Sequence, residues 1–563
     1  MAAVLLWFLY AITLTLSSCM GYKHMNVLCN GKDEHELLVF KQSIKDPLKW
    51  LSSWSTEEDC CNWTGVQCDN ITGRVSKLDL HCPLGDVQCL EGEINFSILF
   101  KLEFLSFLDL SFNNFKTINF PPIHSVNFSN LLYLDLSMNY NLHMENLGWL
   151  SCLSSLKYLN LSGIFLKNET LWLQQMTMLP SLMELRLSGC SLNGDNLSPG
   201  YVNFTSLVVL DVFNNSFHSE IPKWLFNLQH LRSLILGSNC LKGDIPKWMG
   251  QYTCLKQLDL SNNSLSGPIP STFGNLSSLK SLDVSFNYLN GNLPRDIWKL
   301  SKLEVLSIEY NSFSGIISEL SFTNLSNLKS LSLDSSDFIF DLGSHWQPAF
   351  QLEKISMSYC NVGPMFPSWL YSQRSLSYLD ISSSGLSFNV HEDLNFWSFV
   401  AQIDNLFLSH NSISGDISTT LINNTRIDLK WNNFNGKLPH LSPKVIFFDI
   451  FNNSFSGPIF PFLCQSMTRE HHLAVLDMSH NLLSGELPNC WMKWRSLIHV
   501  NLGSNNLFGK IPDSIGSLTQ LQTLRVRNNR LFGNIPTSLK SCKELWYLDL
   551  GLNEFTGNIP TCT

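Results

Sequence analysis

The protein has 563 residues, 44% of them hydrophobic and only 15% charged, with 46 acidic against 37 basic side chains and a net charge of −9. A typical soluble domain carries about 25% charged residues, so this surface relies on neutral polar groups. The acidic balance excludes a basic nucleic-acid-binding stripe as the organising feature. The aliphatic and aromatic content excludes a wholly disordered chain.

The chain opens with an apolar run from Ala2 to Leu16, followed by the small or weakly polar Ser17, Ser18, Cys19, Met20 and Gly21. That run is short for a membrane span and has the core and cleavage region of a secretory signal, though no basic residue precedes it. Residues 1–21 are therefore predicted to be a signal peptide. Secretion places the chain in an oxidising compartment, where cysteine pairs are read as disulfides before metal ligands. No later stretch reaches about 18 consecutive apolar residues, so no membrane segment is predicted beyond the signal.

The next feature is a helix signal at Leu37, Leu38, Phe40 and Ile44, ended by Pro47. From about Val75 a repeat takes over and runs to the last residue. LTQLQTLRVRNNRLFGNIP holds Leu518, Leu521, Leu524, Val526, Asn529, Leu531, Gly533, Ile535 and Pro536 in a fixed frame. Leu276, Leu279, Leu282, Val284, Asn287, Leu289, Gly291, Leu293 and Pro294 repeat it. The landmark asparagine recurs at 113, 139, 215, 239, 263, 287, 311, 411, 432, 453, 481, 505, 529 and 553, and is replaced by Ile164, Cys190, Ser336, Cys360 and Ser384. With a degenerate first coil around Val75, Leu78 and Leu80, residues 75–563 hold about twenty coils. The LxL core alternates with period two and marks a short strand buried on one face. One coil cannot hide its leucines alone, so neighbouring coils must stack into a solenoid. The landmark amide, both donor and acceptor, is placed to satisfy backbone groups buried between coils. Gly and Ile-Pro after the strand set a turn and a stiff extended segment.

The consensus LxxLxxLxLxxNxLxGxIP, nearly complete from Leu276 to Pro294 and from Leu518 to Pro536, resembles the plant-specific class of extracellular leucine-rich repeats. The block DEHELLVFKQSIKDPLKWLSSW (Asp33 to Trp54) followed by DCCNWTGVQCDNITGRV (Asp59 to Val75) is similar to the cap of plant receptor-like proteins and receptor kinases. SGELPNCW (Ser484 to Trp491) looks most like the receptor-like branch that includes sensors of microbial xylanase. The resemblance implies an α/β leucine-rich-repeat solenoid, a right-handed curved superhelix with a concave parallel β-sheet and a disulfide-stapled N-terminal cap over residues 22–74. It also implies the pairs Cys29–Cys60 and Cys61–Cys68.

A solenoid needs caps that shield its terminal coils. The helix containing Leu37 and Phe40 is suited to lie over the first coil. Zinc is a poor reading of the cap cysteines, which lack a histidine at ligand spacing. Cys82 and Cys89 are candidates for a local loop. Cys464 lies eleven residues after Asn453 and Cys490 nine after Asn481, similar phases in adjacent coils that bring two Cα atoms within disulfide reach. Cys542 and Cys562 are a further candidate pair. The sequence stops just past Ile559-Pro560 without a closing cysteine cap or a span, whereas receptor-like proteins normally continue through both. A truncated sequence is the expected reading, with a shortened secreted product as the alternative.

Fourteen N-x-S/T sequons occur, at Asn62, Asn70, Asn95, Asn127, Asn160, Asn168, Asn196, Asn203, Asn214, Asn262, Asn275, Asn324, Asn423 and Asn452. Such acceptors belong on the surface of secreted proteins. Asn127, Asn203, Asn275 and Asn324 each fall twelve residues before a landmark, away from the inner sheet. Asn160, Asn214, Asn262 and Asn452 are assigned to outward strand positions, where glycans would crowd the concave wall. Between the coils of Asn287 and Asn432 no strand sequon occurs. On the outward strand positions of that window stand Phe286, Glu309, Tyr310, Lys354, Tyr359, Phe407, His410, Lys430 and Trp431. Exposed aromatics beside charges make binding hot spots. A second window offers His499, Arg525, Arg527 and Tyr547.

Catalysis is not expected. The aspartates at 109, 135, 211, 259, 283, 380, 477 and 549 follow the repeat and single out no acid–base pair. His471 and His472 lie between coils without a positioned nucleophile. No phosphate loop or kinase catalytic loop is present, and neither a cofactor nor a metal is expected. The combined reading is an ectodomain that binds an extracellular protein, peptide or glycan and, as the resemblance implies, signals at the plant cell surface in defence through a co-receptor kinase. The alternatives are a secreted inhibitor of cell-wall-degrading enzymes of the polygalacturonase-inhibitor kind, placed in the apoplast, and a developmental peptide receptor.

Overall fold

The computed structural model describes residues 27–82, 90–120, 130–144, 146–167, 169–193, 202–464 and 471–558. They fall into two compact blocks, one up to His218 with Pro222–His230, the other Ser219–Ile221 with Leu231 onward. The signal segment, Cys89, Cys562, Asn127, Asn168 and Asn196 lie outside the described residues.

The first block begins with the cap. Asn30 accepts from the backbone of Lys32 and starts the helix Gly31–Ser43, as a side-chain oxygen at a helix N-cap should. Leu37 and Phe40 are wholly buried, while Ile44 lies just past the helix in a two-residue strand, Ile44–Lys45, antiparallel to Glu91–Asn95. The indoles of Trp54 and Trp63 stack at 5.5 Å. Cys29–Cys60 and Cys61–Cys68 form disulfides with Cα separations of 5.5 and 5.4 Å. Asp33, fully buried, ties the helix to the first coil by accepting from Arg74 Nε and from the backbone of Val75, both at 2.9 Å. Val66–Cys68 then pairs antiparallel with Val75–Asp79. From there the inner sheet is parallel: Phe107–Asp109, Tyr133–Asp135, Tyr158–Asn160, Glu184–Arg186 and Val209–Asp211.

The second block repeats this pattern with fourteen inner strands of three residues, from Ser233–Ile235 to Tyr547–Asp549. Each pairs in parallel with its counterpart one coil away, as in Leu258↔Leu282 and Leu282↔Leu306. The strands are short because only the middle residue points inward. Leu234, Leu258, Leu282, Leu306 and Leu379 are all fully buried, each contributing about 1.5–3 kcal/mol of apolar burial. Behind the inner sheet the Gly-containing segments form further parallel sheets, one of five strands from Lys242–Asp244 to Asp337–Asp341 and one of seven from Ser414–Asp416 to Glu554–Phe555. The Pro of the repeat caps a short 3-10 turn in many coils, as at Pro270 before Ser271–Asn275.

The landmark asparagine acts as the spacing demands. Asn287 Nδ2 donates to the carbonyl of Leu260 in the preceding coil at 2.9 Å and to Val284 and Ser285 in its own, while Oδ1 accepts from Leu265 N at 2.9 Å. Asn263, Asn481 and Asn505 make the same four bonds. Where the amide is lost, a smaller donor replaces part of the set. Cys190 Sγ reaches Leu161 O and Cys360 Sγ reaches Leu333 O, each at 3.2 Å, and Ser384 Oγ donates to Met357 O at 2.8 Å. Burial pushes both thiols up to about 12, so they remain protonated donors.

Cys464 and Cys490 form a disulfide with Cα atoms 5.7 Å apart. Cys82 is also disulfide-bonded. The candidate pairing of Cys542 needs correction: it is a buried free thiol pointing at the carbonyl of Ile515, because the stacked coil encloses it on the inside of its turn. Among the described residues no helix is long and apolar enough to cross a membrane.

Candidate ligand-recognition surface

Each inner strand is followed by one residue in the left-handed region, immediately before the landmark. In the second block these are Ser238, Asn262, Phe286, Tyr310, Ser335, Tyr359, Ser383, His410, Trp431, Asn452, His480, Ser504, Asn528 and Leu552, with φ between 50° and 58° throughout. The turn is needed because the chain must leave a flat strand and bring the landmark amide inward. Asn and Gly enter this region cheaply, while bulky side chains there cost of the order of 1 kcal/mol or more. Phe286, Tyr310, Tyr359, His410 and Trp431 therefore occupy a turn column, not the outward strand positions expected for them. The strand has ended before each is reached. The same correction applies to Asn214, Asn262 and Asn452, whereas Asn160 does end its strand, Tyr158–Asn160.

The column gathers its aromatics into two groups. Phe286 and Tyr310 stack at 4.4 Å, with Tyr359 further along and 62% exposed. His410 stacks on Trp431 at 5.5 Å, Trp431 meets Phe451 edge-on, and Phe451 meets His480. Glu309 and Lys430, also expected on strands, fall two residues past Val305–Ser307 and Arg426–Asp428 because those strands too stop after three residues, whereas Lys354 and Phe407 do lie on strands, Lys354–Ser356 and Asn405–Phe407. Lys354 Nζ sits 5.2 Å from the ring centre of Tyr378, which also packs against Phe407. Phe451 and His480 were missed by the sequence reading, although the same position before a landmark, or one strand-side of it, marks both.

Charged groups are interleaved with these rings. Glu309 is half-buried and its Oε2 has no hydrogen-bond partner. Burial, reinforced by the charges of Asp283 and Asp334, pushes its carboxyl up to about 7. Lys430 pairs with Asp428 at 2.7 Å and lies 3.9 Å from Asp449. Burial and then the neighbouring Asp428 push Asp449 up to about 7 as well. Asp334, Asp428 and Asp449 were not among the aspartates singled out, because their strands read LSLDS, RIDLK and FFDIF in place of LDLS. Most strand aspartates serve the turn: Asp283 Oδ1 accepts from the Ser285 hydroxyl and backbone, and Asp259 and Asp477 hold Ser261 and Ser479 likewise.

The first block carries a different aromatic array, also missed. Phe107, Tyr133 and Tyr158 occupy equivalent strand positions in three successive coils and stack at 4.0 and 4.1 Å. Lys77 lies over Phe107 at 4.3 Å. In the second window, Arg525 covers the Tyr547 ring at 4.6 Å and His499 meets Thr523. His471, between coils, is buried against Trp494 with ring centres 4.6 Å apart.

The Leucine rich repeat N-terminal domain family matches residues 30–69, and Leucine rich repeat families match residues 205–265, 255–313, 472–494, 496–518 and 520–542. Receptor-like protein EIX1 of Solanum lycopersicum is 37% identical over 77% of this chain and 57% of its own length. The chain belongs to the plant leucine-rich-repeat receptor-like proteins. Receptor-like protein EIX2 of the same species is 34% identical over 84% of this chain and 61% of its own. This receptor-like chain thus spans less than two thirds of the length of either relative. Among solved structures, the Arabidopsis receptor kinase HAESA in complex with the peptide hormone IDA and the co-receptor SERK1 is similar with a TM-score of 0.59 and 27% identity, covering 94% of this chain and 95% of that one.

Proposed function

We propose that the protein is the ligand-recognition ectodomain of a plant cell-surface receptor-like protein. It would reach the surface through the secretory route, bind an extracellular peptide or protein segment on the inner wall of its second block, and signal through a partner receptor kinase. The observation that carries this reading is the turn column: Phe286, Tyr310, Tyr359, His410, Trp431 and His480 hold bulky rings in left-handed backbone where Ser238, Asn262, Ser504 and Asn528 stand in other coils. Backbone cost tolerated at exposed aromatic positions is a mark of a functional surface, and aromatics beside charges are the residues that dominate binding energy. Extended peptides suit a wall of parallel strands with one anchoring position per coil. The peptide complex of HAESA supports that ligand class over a glycan. A role in defence is supported by the similarity to EIX1 and EIX2.

The test is binding of the secreted chain to a library of synthetic plant and microbial peptides. The triple variant Y310A/Y359A/W431A should lose at least tenfold in affinity for any retained peptide while its circular dichroism is unchanged. Full affinity in that folded variant rejects the placement. Association with a kinase is tested by co-purifying the full-length receptor with membrane kinases with and without the peptide; no ligand-dependent partner rejects that part.

A further inference from the structure

The second block contains a cleft of about 720 Å³ on the side opposite the inner wall, built at a coil that lacks the proline of the consensus. In that coil Gly315-Ile316 is followed by Ile317-Ser318, where Gly291 and Gly533 lead to Leu293-Pro294 and Ile535-Pro536; without the proline the strand runs on as Ser312–Ser318 and into the helical turn Glu319–Phe322. The 3-10 turn Arg295–Lys299 of the preceding coil forms one wall and the strand Asp337–Asp341 the other. The volume falls within the small-ligand range of about 300–1,000 Å³. Its lining is mixed. Ile316 and Leu320 expose 66% and 83% of their surface, whereas Arg295 and Asp341 make no side-chain hydrogen bond or ion pair among the described residues.

Asn324 also lines this cleft, and it heads the sequon Asn324-Leu325-Ser326. Asn324 and Ser326 are exposed. Asn324 Nδ2, the atom that a glycan would modify, points at the carbonyl of Trp298 at 3.5 Å, so the amide is aimed along the cleft wall. A glycosylated amide keeps one N–H, and that contact survives modification.

We infer that the cleft is filled by this protein's own N-linked glycan, carried on Asn324 and folded back so that its first sugars cover Ile316 and Leu320. In the transfer, Nδ2 displaces the diphosphate of a lipid-linked oligosaccharide. The N–C1 bond forms, the C1–O bond to phosphate breaks, and one amide proton is released. The apolar faces of the sugar rings then lie on the two aliphatic side chains, while hydroxyls reach the free Arg295 and Asp341.

The inference rests on the secretory route of the proposed function, and its test separates the two. The chain is secreted from plant cells that lack core α1,3-fucosylation, and glycan release by peptide N-glycosidase F is followed site by site by mass spectrometry under native conditions. Asn275 stands at the same phase in an earlier coil, is exposed, and lies outside the cleft. Asn324 should be occupied and its glycan released at least ten times more slowly than that of Asn275. Absence of glycan at every sequon would count against secretion itself. Glycans elsewhere with Asn324 bare, or released as fast as at Asn275, would overturn the cleft assignment alone. A second measurement compares hydrogen exchange of the segment 312–322 in the secreted protein and in Ser326→Ala, which removes the glycan and leaves Asn324 in place. Exchange should speed up at least threefold in the variant; an unchanged rate overturns the assignment.

Discussion

The two blocks use aromatic rings on the same repeat differently, and of the first block's described rings only Phe112 stands in the left-handed column. In the first, Phe107, Tyr133 and Tyr158 sit on strands, one coil apart, and stack face to face. Strand spacing of about 4.8 Å nearly matches ring contact, so the rings satisfy one another and remain only partly exposed. In the second, the rings stand one turn later, on left-handed residues, and Phe286, Tyr359 and Trp431 keep 46–62% of their surface open. The first arrangement stabilises the sheet. The second incurs backbone cost and leaves ring faces available, which is the arrangement a partner can use.

The largest expected effect tests what both arrangements stand on. Asn287→Ala removes a buried amide that serves four backbone groups, leaving carbonyls of Leu260 and Val284 and the N–H of Leu265 without it. Each buried unsatisfied group costs about 1–3 kcal/mol, so a loss of at least about 3 kcal/mol is expected in urea unfolding. Cys360→Ser, which swaps one weak donor for the hydroxyl already used at Ser384, should cost less than about 1.5 kcal/mol. Similar losses in the two variants would mean that the amide network does not hold the coils.

Next in size is a pH effect confined to the second block. Glu309 and Asp449 titrate near 7 when folded and well below that when unfolded. The folded state therefore binds more protons between those values, and stability must fall as pH rises from about 5 toward 8. A melting temperature that declines over that range, and flattens in E309Q/D449N, is the expected result of calorimetry. A flat profile in the wild type would show that both carboxyls ionise normally and that the wall is better hydrated than its burial implies.

The smallest expected effect sharpens the contrast most. Tyr359→Asn should leave stability unchanged or raise it by up to about 1 kcal/mol, since Asn enters left-handed backbone more easily. Tyr133→Asn in the first block should lower it by about 1–2 kcal/mol through loss of two ring contacts. If both variants lose equally, the column carries structure and the distinction between the blocks disappears.

The fold was legible in the sequence because LxL, the landmark Asn and the Gly have fixed phases, and burying Leu258, Leu282 and Leu306 between coils requires one register. The disulfide between Cys464 and Cys490 followed from phase alone. The site was legible only in outline. Phe286, Tyr310 and Trp431 were found from their place before a landmark, yet assigned to strands, because period two does not reveal that the strand stops after three residues. Phe451 went unmarked because it lies between the two sequon-free windows, beside the sequon at Asn452, whereas His480 lies inside the second window and was passed over. The raised carboxyls of Glu309 and Asp449 depend on depth and on like charges from adjacent coils, and neither quantity is encoded within one repeat. The cleft at Asn324 is lined by a coil in which Ser318 stands at the proline position, a departure that a search for the consensus passes over.

The central claim is that the turn column of the second block is the recognition surface. Hydrogen exchange of the secreted chain, with and without the peptide retained from the library, tests it most directly. Slowed exchange should concentrate in peptides that contain Tyr310, Tyr359, His410 and Trp431, with the Phe107–Tyr158 region unchanged. Protection centred on Tyr133 and Tyr158, with none around Tyr310 or Trp431, would contradict the account.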